Sequence, residues 1–372
     1  MKGTNAIRHV LDILVLQEKE EKTAFLGFDA CIDNIAGVVS GKTENGEFRY
    51  FETSRQFAGY INSRGSKSCG IELSTRISKL GGNMAITANA LGTLGIKTDC
   101  AGTFGLPDVL PFFRAMSSNC SLYTVGETIT ATALEFEHNK VILFDPGPYN
   151  NLTWESLKSV LGLERLKDLL RGKDLVAFLN WSEIIMSTSI WEGFMNEVFP
   201  SFTDPEPGKI FFTDLSDCSR RTKKEISDIM LLLRSFRKYF RTAISLNQNE
   251  ADLVASALGV NHSSQDEYFV SSLYEACGAD VLVIHRNNDA TGSDGRAVVS
   301  IDTFHISKPV ILTGGGDNFN AGFCLALLEG MDLAGALLTG NAVAACYVGH
   351  GSSPDRKTLI DFLRSHESRL AP

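Results

Sequence analysis

Thr313-Gly314-Gly315-Gly316-Asp317 has the clearest chemical capacity in the chain; it is entered from the apolar Val310-Ile311-Leu312 and followed by Asn318-Phe319-Asn320-Ala321-Gly322-Phe323. Three consecutive glycines ahead of a helix let the backbone turn tightly and aim its N–H groups outward. The helix dipole adds positive potential at the same point, so Gly314, Gly315 and Gly316 are candidates for an anion hole. Asp317 stands at its mouth. A carboxylate repels an anion, so its place there fits a base that takes a proton from an attacking hydroxyl. The same string also fits an ordinary N-capping Asp after a turn.

Two other stretches repeat the idea. Gly81-Gly82 opens a helix of small residues, Asn83 to Gly92, whose face of Ala85, Ala88, Asn89 and Gly92 allows close packing. Asn83 brings both a donor and an acceptor to its start. Gly27-Phe28-Asp29-Ala30-Cys31-Ile32-Asp33 leaves an apolar run with two acidic residues. An Asp just past a strand end can grip vicinal hydroxyls by accepting their hydrogen bonds, and it equally fits an ordinary turn residue.

These residues need a frame, and the periodicity supplies one. Thr23–Phe28, Lys97–Gly102, Val141–Phe144, Leu175–Leu179, Lys209–Thr213, Thr242–Leu246 and Val281–Ile284 read as strands. Helices are expected over Asn5–Gln17, Asn83–Leu94, Leu152–Leu170, Ile190–Val198, Lys223–Phe240, Glu250–Leu258, Gln265–Cys277, Asp317–Leu328, Asp332–Gly349 and Arg356–Ser365. On the Asp317 helix, Phe319, Phe323 and Leu327 mark one apolar face. Apolar strands alternating with helices indicate an α/β fold: a three-layer Rossmann-like sheet covered by helices on both faces. Residues 38–78 and 124–145 break the rhythm and are expected to form a small β lid outside that sheet. Within the first of these the helical period is weak; within the second, two strands flank a turn at His138-Asn139. Leu106–Pro111 and Pro200–Gly208 read as plain loops.

Composition narrows the function classes. The 372 residues are 44% hydrophobic and 21% charged, with a formal net charge of −9. An acidic chain has no bulk attraction for nucleic acid or anionic membrane, so phosphates must be bound locally. The basic run Arg234, Arg237, Lys238 and Arg241 reads as the solvated face of a helix. The eight cysteines are scattered without a C-x-x-C pair, and no His/Cys cluster has zinc spacing, which points to free thiols in a reducing, cytoplasmic setting. No stretch reaches the roughly 20 apolar residues that span a bilayer.

Taken together and in this order, the motifs resemble the ribokinase-like (PfkB-type) carbohydrate kinase family over nearly the whole chain. Thr313–Phe323 is similar to its signature T-G-A-G-D-x-F-x-A-G-F, and Gly81–Gly92 to its G-G-x-x-x-N-x-A helix. Gly105–Asp108 matches a G-x-x-D segment, and Asn247-Gln248-Asn249-Glu250 matches N-x-x-E. Gly340–Cys346 resembles the late Ala-rich helix of the family, and Asp214–Arg220 its D-x-N-x-R segment, where charges shape a loop.

The resemblance implies transfer of the terminal phosphate of ATP to a hydroxyl of a sugar or sugar-like acceptor. Asp317 would be the base, and the amides of Gly314, Gly315 and Gly316 the anion hole. Asp33, Gly82 and Asn83 would bind the acceptor. Asn247, Arg286 and Asn341 would lie at the nucleotide, and Glu250 would hold Mg2+ through water. The lid would exclude water and mediate a homodimer. The sequence departs from the pattern where Ile311 replaces the family's Asp, and where Arg286 and Asp289 replace small residues that approach the nucleotide. Gly27–Asp33 is also similar to a segment of ADP-dependent sugar kinases, which ranks ADP second as donor. Two alternatives stay open: a nucleoside kinase, with Phe57, Tyr60 and Phe104 as candidates to sandwich a base, and a catalytically weakened relative that senses a metabolite.

Overall fold

The computed structural model describes residues 3–16, 21–202, 208–261, 267–311 and 313–370. Gln17, Gln265, Leu312 and residues 203–207 of the Pro200–Gly208 loop lie outside the described residues. The strands are β1 (Thr23–Phe28), β2 (Cys31–Lys42), β3 (Phe48–Tyr50), β4 (Leu73–Gly81), β5 (Lys97–Gly102), β6 (Cys120–Thr124), β7 (Ile129–Glu135), β8 (Lys140–Leu143), β9 (Leu175–Leu179), β10 (Ile210–Asp214), β11 (Arg241–Asn247), β12 (Val281–His285), β13 (Asp289–Ser293) and β14 (Val298–Asp302). The α-helices are α1 (Gly3–Leu16), α2 (Ser54–Arg64), α3 (Asn83–Thr93), α4 (Gly147–Asn150), α5 (Trp154–Leu161), α6 (Leu163–Leu170), α7 (Ser187–Gly193), α8 (Lys223–Phe236), α9 (Gln248–Leu258), α10 (Glu267–Cys277), α11 (Gly315–Leu328), α12 (Leu333–His350) and α13 (Arg356–Leu370).

Nine strands form the main sheet in the order β14-β13-β12-β11-β10-β9-β1-β5-β6. From β12 to β6 every neighbouring pair is parallel, while β13 and β14 close one edge antiparallel. The continuous apolar runs follow from burial on both faces. Along β9, Leu175, Ala177 and Leu179 join one core while Val176 and Phe178 join the other; β12 splits the same way into Val281 and Val283 against Leu282 and Ile284. The first core lies under α1, α3, α11, α12 and α13, and the second under α5 to α10. Trp154, Trp181 and Trp191 are buried in the second. The three-layer expectation is therefore met. The edge strands β6, β13 and β14 went unread because polar and small residues interrupt them.

Other local differences have physical causes. The helix expected over Leu152–Leu170 is two helices, broken at Gly162, whose φ of 83° no helix accommodates. Helix α11 is buried all round rather than on one face, from Asp317 to Leu328, between α3, α12 and the sheet. Among the described residues no helix is long and apolar enough to cross a membrane.

A separate five-stranded sheet has the order β3-β2-β7-β8, with β4 on the other edge of β2. It draws on Cys31–Lys42 and Leu73–Gly81, a wider span than the irregular stretch suggests. Residues 38–78 also contain a helix, α2, contrary to the weak period there. Its Thr53–Gln56 capping box replaces the missing propensity, and Phe57 packs with Val38, Phe51, Leu134 and Phe136 in a small core. The strand pair flanking His138-Asn139 forms as expected, as β7 and β8.

Helices α11 and α12 pack against each other at Gly322, where a Cβ would lie 2.7 Å from the Thr339 carbonyl oxygen and 2.8 Å from Val343 Cγ2. Gly322→Ala should therefore destabilise the protein by roughly 1–3 kcal/mol, read by urea denaturation.

Candidate active site

The parallel strands end together, and their carboxyl ends make the site. Asp29 follows β1, Asn180 follows β9, Asp214 ends β10, Asn247 ends β11 and His285 ends β12. Helix α11 begins over these ends. Gly314 is its N-cap, with φ of 95°, and a Cβ there would meet the Tyr347 hydroxyl at 2.8 Å. The first-turn N–H groups of a helix have no intrahelical acceptor, so those of Gly315, Gly316 and Asp317 face the turn unspent.

Asp317 is not the cap; that reading of the string fails, because Gly314 holds the position without a side-chain bond. The Asp317 carboxyl is buried, and its Oδ1 has no hydrogen-bond partner among the described residues. Burial pushes its pKa well above the ordinary carboxylate value, Asp214 and Asp29 push the same way, and Lys79 and a hydrogen bond with Asn83 oppose them. Raised proton affinity is the direction a general base requires.

Asp214 is a participant the sequence left as a loop charge. It accepts from Asn320 Nδ2 at 2.7 Å, and Asn320 Oδ1 accepts from Ser245 Oγ at 2.7 Å. This chain ties α11 to the ends of β10 and β11. Asp29 is a second such residue. Its carboxylate accepts from the N–H of Asn83 at 2.7 Å, the N–H of Met84 at 2.9 Å and Asn180 Nδ2 at 2.9 Å. Gly82, the α3 N-cap, has φ of 90°, and a Cβ would fall 2.9 Å from Asp29 Oδ2. Asp29 thus caps α3 from another strand, and Gly82 makes room for it.

The small sheet completes one side. Asp33 of β2 pairs in register with Lys79 of β4, so both point to the same face. Cys31 Sγ donates to Asp33 Oδ1 at 3.5 Å, and burial raises the Asp33 pKa although Lys79 opposes it. Lys79 Nζ donates to the Thr313 carbonyl at 3.1 Å, Lys140 Nζ to the Thr313 hydroxyl, and the Tyr347 hydroxyl to the same carbonyl at 2.9 Å. The two lysines were not among the sequence candidates; neither belongs to a motif.

Beside the glycine turn opens a cleft of about 970 Å³, lined by Asn247, Arg286, Gly315, Gly316, Phe319 and Asn341 among others. The three expected nucleotide-side residues are thus brought together with Gly315 and Gly316, and Glu250 is bonded to Asn247 behind them. Several are already engaged. Asn247 and Glu250 form a reciprocal capping box, with Asn247 Nδ2 donating to Glu250 Oε1 at 2.6 Å. Burial, with Asp214, drives the Glu250 pKa well up. Asn341 Nδ2 donates to the Ile301 and Asp302 carbonyls at 3.0 and 3.2 Å. Arg286 does not obstruct the cleft: its Nη1 donates to Asp289 Oδ2 at 2.7 Å and its Nε to Gln248 Oε1 at 2.5 Å. Its Nη2 has no partner among the described residues. The supposed base sandwich does not assemble. Phe104 is buried against Phe113, while Phe57 and Tyr60 of α2 pack at a tilt on Phe51.

A family model described as prokaryotic ketohexokinase matches residues 6–366. The chain belongs to the prokaryotic ketohexokinase family. It is a carbohydrate kinase, as its motifs led us to expect. A curated ketohexokinase of Haloferax volcanii is 27% identical over 340 residues, covering 90% of this kinase and 89% of the relative. The fold is that of ribokinase from Thermotoga maritima, with a TM-score of 0.63 at 17% identity over 93% of this kinase and 100% of that chain. Adenosine kinase from Sinorhizobium meliloti shares it too, with a TM-score of 0.64 at 15% identity over 93% and 100%.

Asp29 yields a stability prediction. Burial, outweighing the hydrogen bonds from Asn180, Met84 and Asn83, raises its pKa from 3.8 to about 6. Between those values the folded protein holds a proton that the unfolded chain has released. Its contribution is complete below the lower value and lost as pH rises through the upper one. Asp29→Asn should flatten that part of the slope and, by orphaning a helix N–H, cost roughly 1–3 kcal/mol at pH 7, measured by urea unfolding at pH 4, 5 and 7.

Proposed function

We propose that this kinase transfers the terminal phosphate of ATP to a hydroxyl of a ketohexose. The observation that carries this is Asp317 Oδ1: a buried carboxylate oxygen with no partner among the described residues, at the mouth of a turn of free amides, on a family member. The acceptor hydroxyl gives its proton to Asp317 as its oxygen bonds the γ-phosphorus. The bond from that phosphorus to the bridging oxygen breaks, and its electron pair leaves on ADP. The N–H groups of Gly314, Gly315 and Gly316 stabilise the charge on the phosphoryl oxygens. Asp33, Gly82 and Asn83 lie on the acceptor side of the base, with Asn83 orienting Asp317.

The nucleotide occupies the 970 Å³ cleft, between Asn247, Arg286 and Asn341. Among the described residues no cluster of three His, Cys, Asp or Glu side chains could grip a metal directly. Because Glu250 is already shared with Asn247, the arrangement fits Mg2+ held on the nucleotide phosphates, with Glu250 and Asp214 reaching it through water. When bound, Mg2+ neutralises phosphate charge. ADP in place of ATP as donor is the second choice.

The small sheet acts as the lid that keeps water from the transfer. It also offers a contact to a second copy. Ile77, Ile35, Ala133 and Ile142 form one cross-strand row, and Ile77 and Ile142 are 54% and 48% exposed. A homodimer through this face predicts that Ile142→Glu shifts the sedimentation coefficient to that of a monomer.

The central test is Asp317→Asn with D-fructose and MgATP. We expect kcat to fall roughly 10²–10⁴-fold while fructose still raises the melting temperature; turnover near the wild-type rate would refute the role of Asp317.

A further inference from the structure

Asp29, Asp33, Asp214, Glu250 and Asp317 cluster where phosphates must arrive, each raising another's proton affinity or sharing its neighbours. The helix-end amides supply positive potential there without net charge, and a side-chain cation on the acceptor side would add to it. Arg286 lies on the nucleotide side, bonded to Asp289 and Gln248. The small sheet brings two others. Lys79 stands two residues before Gly81, and β4 pairs with β2 so that Lys79 and Asp33 share one face. Lys140 is two residues from Ile142, which continues that face across β7 onto β8. Both ammonium groups end on Thr313, the residue before the Gly314 turn.

We infer that Lys79 is a catalytic cation, supplied by the small sheet, that contacts the phosphoryl group in flight, and that Lys140 is a positioning residue holding the Thr313 turn. This deepens the proposed function and rests on it. In this structure Lys79 donates to a neutral carbonyl at the rim of the anion turn, a bond it can exchange for one to a phosphoryl oxygen. The ammonium group is a point charge that follows an oxygen as bonds to phosphorus form and break. It neither takes nor gives a proton; the hydroxyl proton goes to Asp317 and the electron pair leaves on ADP. Cys31 and Asp33 face Lys79 from β2, Lys140 from β8 and Asp317 from α11. Burial lowers the Lys79 pKa, and Lys140 adds to this against the two carboxylates. Activity should therefore fall on the alkaline side below the range of an ordinary lysine.

The experiment compares Lys79→Met, Lys79→Arg and Lys140→Met with wild type, using D-fructose and MgATP from pH 6 to 10. Lys79→Met should lose about 100-fold or more in kcat, with the KM for fructose changed less than threefold. Lys79→Arg should recover at least tenfold of that loss and abolish the alkaline limb, because a guanidinium stays charged. Lys140→Met should lose about tenfold, restored by Lys140→Arg. Melting temperature in MgADP with aluminium fluoride, which imitates a phosphoryl group in flight without turnover, gives a second readout. Wild type should gain stability over MgADP alone, and Lys79→Met should lose that gain. A Lys79→Met enzyme with kcat within threefold of wild type, or with the full aluminium fluoride gain, overturns the inference. Wild type that shows the gain but no turnover of ketohexoses overturns the proposed acceptor and leaves the lysine assignment standing.

Discussion

Like charges in a dry place govern this molecule. In the proposed mechanism Asp317 must stay out of water to be a strong base, and the same pocket must admit phosphate. Burial raises the proton affinity of Asp317, and Asp214 and Asp29 add to it. The fold copes by giving each carboxylate neutral or dipolar company. Asp29 is held by helix N–H groups and an amide, and Asp214 by the Asn320 amide. A glycine turn at a helix start attracts anions with dipoles alone, so it does not titrate.

Holding that balance requires a helix that cannot tilt. Helix α11 is buried on all sides, pressed against α12 at Gly322, and tied to β10 and β11 through Asn320. Packing and polar bonds there have the same purpose: they fix one carboxylate relative to one turn. Helix α3 is anchored at the same place by Asp29, which explains why a small-residue helix opens with a glycine rather than with its own capping side chain.

The charges are divided between two bodies. The main sheet presents Asp317 and the amides of the glycine turn; the small sheet presents Asp33, Lys79 and Lys140 on one face. The site is complete only where the two meet at Thr313. On the proposed function, a lid built in this way couples exclusion of water to delivery of charge.

The sequence by itself determined the layers of the main sheet, because strands buried on both faces must be continuously apolar and their period differs from that of the helices between them. It also marked the glycine turn as a candidate anion site, because three glycines stand ahead of a helix and Asp317 follows them directly in the chain. The family signature around them was legible for the same reason: its residues are contiguous. Edge strands such as β13, half-polar and short, and the helix α2 inside an irregular stretch were not, since pairing and capping rather than propensity make them. What the tertiary structure alone decided is how residues far apart face each other. Asp29 caps a helix more than fifty residues on, Asp214 sits beside Asp317, Asn247 is bonded to Glu250, and Lys79 stands across from Asp33. Strand register settles each such meeting, and a shift of one residue would turn those side chains to the other face.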